Sequence, residues 1–120
     1  MAYVDGFIVA VPRKNIAAYR KLSTRCGKIW REFGALDYRE WVADDVKVGK
    51  LTSFPRAVKL KKGEVVVFSW ITYKSRAQRD KINARVMADP RLANIMGPNS
   101  HPPFDGKRMI YGGFESLVKV

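Results

Sequence analysis

The longest apolar run in the chain is Glu64 to Tyr73, EVVVFSWITY, which is dense in β-branched and aromatic residues and lies between Gly63 and a helix-start signal at Ser75. It predicts a central strand. Alternation places Val65, Val67, Ser69, Ile71 and Tyr73 on one face and Val66, Phe68, Trp70 and Thr72 on the other. Both faces are apolar, so the strand needs cover on both sides. Tyr3 to Val11 predicts a second strand of the same kind, ended by Pro12, with Val4, Ile8 and Ala10 beside Gly6 on one face and Tyr3, Phe7, Val9 and Val11 on the other. Asp5 is the exception on that second face. It is either a strand-end carboxylate near solvent or a carboxylate pointing into a cavity.

From about Asn15 to Phe33 the period becomes helical, with Ile16, Tyr19, Leu22, Cys26, Ile29, Trp30 and Phe33 on one arc and Gly34 as the stop. Leu36 to Val42 alternates as an edge strand. The connection from 43 to 63 is long and irregular, with room for a short strand around Arg56 to Leu60. Ser75 and Gln78 have the spacing of a capping box, which predicts a helix to about Ala88, and Asp89-Pro90 restarts a shorter one to Met96. Ile82, Val86 and Met87 mark the buried arc of the first of these, with Arg79 and Asn83 inside it. A buried arginine must be paired; the pairing is structural, with Asp5 or Asp80, or else the two residues meet a ligand. After a loop holding His101, Asp105-Gly106 predicts a turn and Arg108 to Val118 the last strand, where Gly112-Gly113 signals a bulge or a close approach.

Strand, helix, strand, strand, helix, strand is the α+β split βαβ plan of a ferredoxin-like sheet, with the first and third strands in the middle and two main helices on one face. Two helices cover only one face. The other is expected to pack on the same sheet of a second copy, in a homodimer.

The 120 residues fit one domain spanning 1–120. No apolar segment approaches the ~20 residues of a membrane span, and MAYVDGF lacks the zones of a signal peptide, so the expectation is a soluble, cytoplasmic protein that does not engage membranes. A lone cysteine, Cys26, suits a reducing compartment and a packing role. With one histidine and one cysteine, no ordinary metal site is expected, and with neither GxGxxG nor a P-loop, no nucleotide cofactor.

Charge adds a second theme. The formal net charge is +12, from 23 Lys and Arg against 11 Asp and Glu. Opposite the apolar arc of the first helix lie Arg13, Lys14, Arg20, Lys21, Arg25, Lys28 and Arg31, joined only by Glu32, and a further basic cluster holds Arg56, Lys59, Lys61 and Lys62. A solvated face more often mixes signs, so these residues are candidates for weak contacts to nucleic acid, mainly to phosphate.

YVDGF at the start, AYR at 18–20, DDV at 44–46, FPRAV at 54–58, GEVVVFSW at 63–70, RD at 79–80, MADPR at 87–91 and PFDGKRMIYGGF at 103–114 together resemble the YbaA-like family of small bacterial proteins of unknown function. The resemblance spans nearly the whole chain. It implies the dimeric α/β-barrel superfamily, whose other members include haem-degrading and cofactor-free monooxygenases, and it carries over no catalytic set.

Three functional readings follow. The first is a small-molecule pocket, enzymatic or not, between sheet and helices, lined by Asp5, Ser69, Arg79, Asn83, His101, Arg108 and Tyr111, with His101 and Asp5 as proton-transfer candidates. The second is the nucleic-acid binder just described, which lacks the aromatic motif of sheet-based RNA readers. The third is a plain interaction module.

Overall fold

The computed structural model describes residues 2–120. Strand β1 (Tyr3–Pro12) passes through a turn of 3-10 helix into α1 (Ile16–Glu32), followed by β2 (Asp37–Val42) and the one-turn helix α2 (Phe54–Ala57). Strand β3 (Glu64–Tyr73), helices α3 (Arg76–Ala88) and α4 (Pro90–Met96), and β4 (Ile110–Glu115) complete the order. The strands form one sheet in the order β2-β3-β1-β4, with every pairing antiparallel. The two bifacially apolar strands are therefore the inner pair, as their patterning predicts, and β2 lies at an edge.

Local chemistry sets most boundaries. Gly34 ends α1 with a φ of +114°, in the left-handed region, and the Arg31 guanidinium donates to the carbonyls of Ala35 and Leu36 just beyond. Ser75 Oγ accepts from the Gln78 amide at 3.1 Å and starts α3. Asp89 accepts from the Arg91 amide at 2.8 Å and starts α4, with Pro90 in its first turn.

Four expectations need correction. Arg56 lies in a helix, not a strand, because Ser53 Oγ caps the Arg56 amide and Pro55 occupies the first turn. The last strand is shorter than Arg108 to Val118: Gly106–Arg108 forms a 3-10 turn capped by Asp105, and pairing with β1 runs out at Tyr3 opposite Glu115. Gly112-Gly113 makes no bulge, since the register runs unbroken through Gly6 opposite Gly112 and Asp5 opposite Gly113. Close approach explains Gly113 instead, because a Cβ there would lie 2.7 Å from Tyr3 Cε2 and 2.8 Å from Arg79 Nη2. Met87 is 64% exposed rather than buried, leaving Ile82 and Val86 as the core positions of α3.

Helices α1, α3 and α4 pack on one face of the sheet. Their Cys26, Ile29, Ile82, Val86, Leu92 and Ile95 meet Tyr3, Ile71 and Tyr73 in the main core. The opposite face is partly covered by the chain itself, since Val58 and Leu60 from the 43–63 connection lie on Ala10 and Val66. The rest of that face stays open, with Trp41 45% and Phe114 60% exposed. Among the described residues no helix is long and apolar enough to cross a membrane.

Candidate functional site

Between the helix layer and the sheet lies a cavity of about 620 Å³. Its walls are aromatic and aliphatic, with Leu22 and Trp30 from α1, Phe7 from β1, and Phe104, Met109 and Tyr111 from the chain's last quarter. Strand pairing lays a polar strip across the floor. Glu40 of β2 stands opposite Ser69 of β3, and Asp5 of β1 stands opposite Ile71, one pair further along the same face. Apolar walls with a few convergent polar groups are the usual make-up of a small-molecule site.

At the Asp5 end the polar groups pair with one another, with Arg79 Nε the exception. Asp5 is buried, Arg79 Nη1 lies 3.6 Å from its Oδ1, and Asn83 Nδ2 lies 3.5 Å from its Oδ2. Arg79 Nη2 also donates to Tyr3 Oη at 2.9 Å, and its guanidinium sits 4.9 Å from the centre of the Tyr3 ring. Its Nε lies 3.2 Å from Asp80 Oδ1 but out of line for a hydrogen bond, and it has none. The Asn83 carbonyl accepts from Trp30 Nε1 at 3.0 Å and from Tyr73 Oη at 3.2 Å, which ties α1, α3 and β3 together. Both carboxylates named as structural partners for Arg79 are thus within reach.

The Glu40 end is built differently. Tyr19 Oη donates to Glu40 Oε1 at 2.8 Å and to Oε2 at 2.9 Å, Ser23 Oγ donates to Oε2, and Tyr38 Oη lies 2.9 Å from Ser23 Oγ. Burial pushes the Glu40 carboxyl above the ordinary carboxylate range, while the Ser23, Tyr19 and Ser69 hydroxyls pull the other way without cancelling it. Burial, reinforced by Glu40, raises the Tyr19 phenol, and burial raises that of Tyr38. The Cys26 thiol in the cavity wall is pushed up to about 11 by burial, which keeps it a neutral packing group.

The residues anticipated for the pocket separate into two groups. Asp5, Ser69, Arg79, Asn83 and Tyr111 line the cavity, the last stacked on Phe7 with ring centres 6.1 Å apart. His101 is exposed in the loop after α4 and lies outside the lining. Arg108 also lies outside, because its guanidinium is drawn into a two-pronged pair with Glu64, at 2.8 and 2.6 Å, and a third bond to Asp105. Glu40, Tyr19, Ser23 and Tyr38 were not anticipated. A signal existed: Glu40 is the acidic interruption on the Leu36, Tyr38, Val42 face, but its neighbour Ser69 becomes visible only with the register. No group of three His, Cys, Asp or Glu side chains that could hold a metal ion occurs among the described residues.

The basic residues are spread unevenly. Arg13, Lys14, Arg20, Lys21, Arg25 and Lys28 are exposed along α1 and its approach, and Lys59, Lys61 and Lys62 are exposed before β3. Arg31 is occupied at the C-terminus of α1, and Arg56 donates to the carbonyls of Val48 and Gly49, holding the 43–63 connection.

A family model described as a protein of unknown function, DUF1428, matches residues 2–106. The chain is 50% identical over 118 residues to the uncharacterized protein YbaA of Escherichia coli strain K12, covering 98% of each chain, and equally to YbaA of Shigella flexneri. In fold it is similar to Rv0793 from Mycobacterium tuberculosis, with a TM-score of 0.59 at 14% identity over 99% of this chain and 98% of that one. It is also similar to Atu4242 from Agrobacterium tumefaciens, with a TM-score of 0.55 at 16% identity over 96% and 93%.

Proposed function

Because the chain belongs to the YbaA-like DUF1428 family of proteins of unknown function, its activity has to be read from the site, and we propose that it binds a small, largely apolar molecule in the cavity between sheet and helices. The observation that carries this reading is the cavity of about 620 Å³, apolar-walled and floored by Glu40, Ser69 and Asp5. A packed core of this size would close such a space, since protein interiors approach crystal density.

The same reading includes assembly. The element order and the strand order β2-β3-β1-β4 support a ferredoxin-like sheet. The apolar face that the chain leaves open, carrying Trp41, Phe68, Trp70 and Phe114, supports pairing with a second copy into a dimeric α/β barrel. The ligand cavities would then lie on the outer, helix-covered side of each subunit.

A neutral fluorescent probe, N-phenyl-1-naphthylamine, tests the cavity. Its fluorescence should rise on binding to the wild-type protein and should fall back with Ala93→Trp, which places an indole at an exposed α4 position in the cavity lining. No rise, or a rise unaffected by Ala93→Trp, contradicts the reading. The exposed, same-sign stripe on α1 supports a second reading, non-specific binding of polyanions. That affinity should fade steeply between about 50 and 200 mM salt, and affinity for one RNA that persists at high salt would exclude it.

A further inference from the structure

The cavity and the space outside it share one wall. Between α1 and the free edge of β2 runs a groove of about 560 Å³, rimmed by Arg20, Lys28 and Arg31. Tyr19, Ser23, Tyr38 and Glu40 line both the groove and the cavity. Gly27 permits this close approach of helix to strand, since a Cβ there would lie 2.7 Å from Tyr38 Cδ1.

Within the wall, the Glu40 carboxylate accepts hydrogen bonds from hydroxyls and has no cation within ion-pair distance among the described residues. Helix α1 presents Tyr19, Ser23 and Cys26, whose titratable members are held neutral by burial, with the three rim cations further out. Its own strand presents Tyr38, and β3 presents Ser69. The remaining charged groups of the cavity lining are Asp5 and Arg79, which are paired with each other, and Arg39, which is paired with Asp37. Glu40 is therefore the one carboxyl of the wall, with its proton affinity raised by burial, that can gain or lose a proton without breaking an ion pair. Ser23 and Tyr38 can each donate or accept, so their bonds can turn to suit either state of the carboxyl. Burial and a solvent groove on the far side together give a carboxylate the proton affinity and the exchange path that acid–base work requires.

We propose that Glu40 is the proton-accepting residue of the cavity and that the ligand is an uncharged, ring-sized molecule bearing an acidic O–H of the phenol or enol class. The proposal rests on the cavity being a ligand site. The ring fits against Leu22, Trp30 and Phe104, and the O–H donates to the Glu40 carboxylate. If the proton moves, the ligand's O–H bond breaks, a new O–H bond forms on Glu40, and the electron pair stays on the ligand oxygen. No redox partner is involved. A ligand already ionised is turned away by the charge on Glu40.

The probe is 4-nitrophenol, whose absorbance distinguishes the phenol from the phenolate, with binding measured by equilibrium dialysis above and below the probe's own pKa. Wild-type protein should take the neutral form about tenfold more tightly than the phenolate, as expected for a like charge close by. Glu40→Gln, shown to be folded by circular dichroism, should reduce that preference below about twofold, because the repelling charge is gone. A preference that survives Glu40→Gln overturns the role of Glu40. Should that variant not fold, the wild-type profile decides, and equal binding of both forms overturns the ligand class. If N-phenyl-1-naphthylamine binds and 4-nitrophenol does not, this proposal falls and the cavity stands; if neither binds, both fall.

Discussion

Arg79→Met removes the one cation within ion-pair distance of Asp5 among the described residues, while keeping most of the aliphatic stem. Asp5 would be left on the cavity floor with a side chain 9% exposed and a single long bond from Asn83 at 3.5 Å. Breaking a buried ion pair by removing one partner costs about 3–5 kcal/mol. Here the pair is 3.6 Å apart and the Arg79 side chain is 22% exposed, so water screens part of the interaction and the loss should be about 2–3 kcal/mol. With an unfolding entropy of about 2.1 cal/mol/K per residue over 120 residues, this lowers the melting temperature by about 8–12 °C. The assay is a thermal melt at neutral pH followed by circular dichroism, repeated with Asp5→Asn and with the double variant. The double variant should lose less than the sum of the two single changes, because the stranded carboxylate is then gone. An unchanged or raised melting temperature for Arg79→Met would refute the structural assignment and make Arg79 a ligand contact kept at a cost in stability.

Three further outcomes follow from the same structure. Glu40 has its proton affinity raised by folding, so its contribution to stability is present below the ordinary carboxylate pKa of 4.5 and is lost as pH rises through the higher folded value; Glu40→Gln should therefore raise the melting temperature at pH 7 relative to wild type and narrow the difference toward pH 4. If the gap is instead constant with pH, Glu40 is not titrating as described. Gly113→Ala should cost about 1–3 kcal/mol, because the new Cβ meets the Tyr3 ring and the Arg79 guanidinium; an unaltered melt would show that both side chains yield freely. Trp70→Asp puts a charge between Trp41 and Phe68, with ring centres 5.4 and 5.7 Å from that of Trp70, and should leave a protein that sediments as a 13.7 kDa monomer or fails to fold, whereas an intact dimer would place the interface elsewhere.

The order of elements was legible because each rests on short-range chemistry. The capping serine at 75, the Asp89-Pro90 restart and the stop at Gly34 act within a turn of the chain. The inner position of β1 and β3 could be read from strands apolar on both faces. What was missed is either too short to show a period or depends on contacts between distant segments. The chain allows a short strand around Arg56 to Leu60, but the helix Phe54–Ala57 is a single turn, marked only by the Ser53 cap and Pro55 in its first turn. Arg108 looked like a pocket residue until Glu64, 44 positions away, proved to hold it. Asp5, Arg79 and Asn83 stood out in the sequence as polar residues on apolar faces. Glu40 lay on a strand expected to be exposed, and its three hydroxyl partners, Tyr19, Ser23 and Ser69, come from α1 and β3. Tyr19 and Tyr38 count as hydrophobic in any periodicity, so the polar ends of both rings were hidden within the pattern that located the core.

The claim that the cavity is the ligand site can be read from the indole N–H signals of the tryptophans by 15N-edited NMR. Trp30 lines the cavity and donates to Asn83, whereas Trp41 lies on the opposite face of the sheet, 45% exposed. On titration with N-phenyl-1-naphthylamine the Trp30 signal should shift in a saturable way while that of Trp41 stays in place. A shift at Trp41 with Trp30 unmoved would put the binding surface on the open face of the sheet and contradict the account.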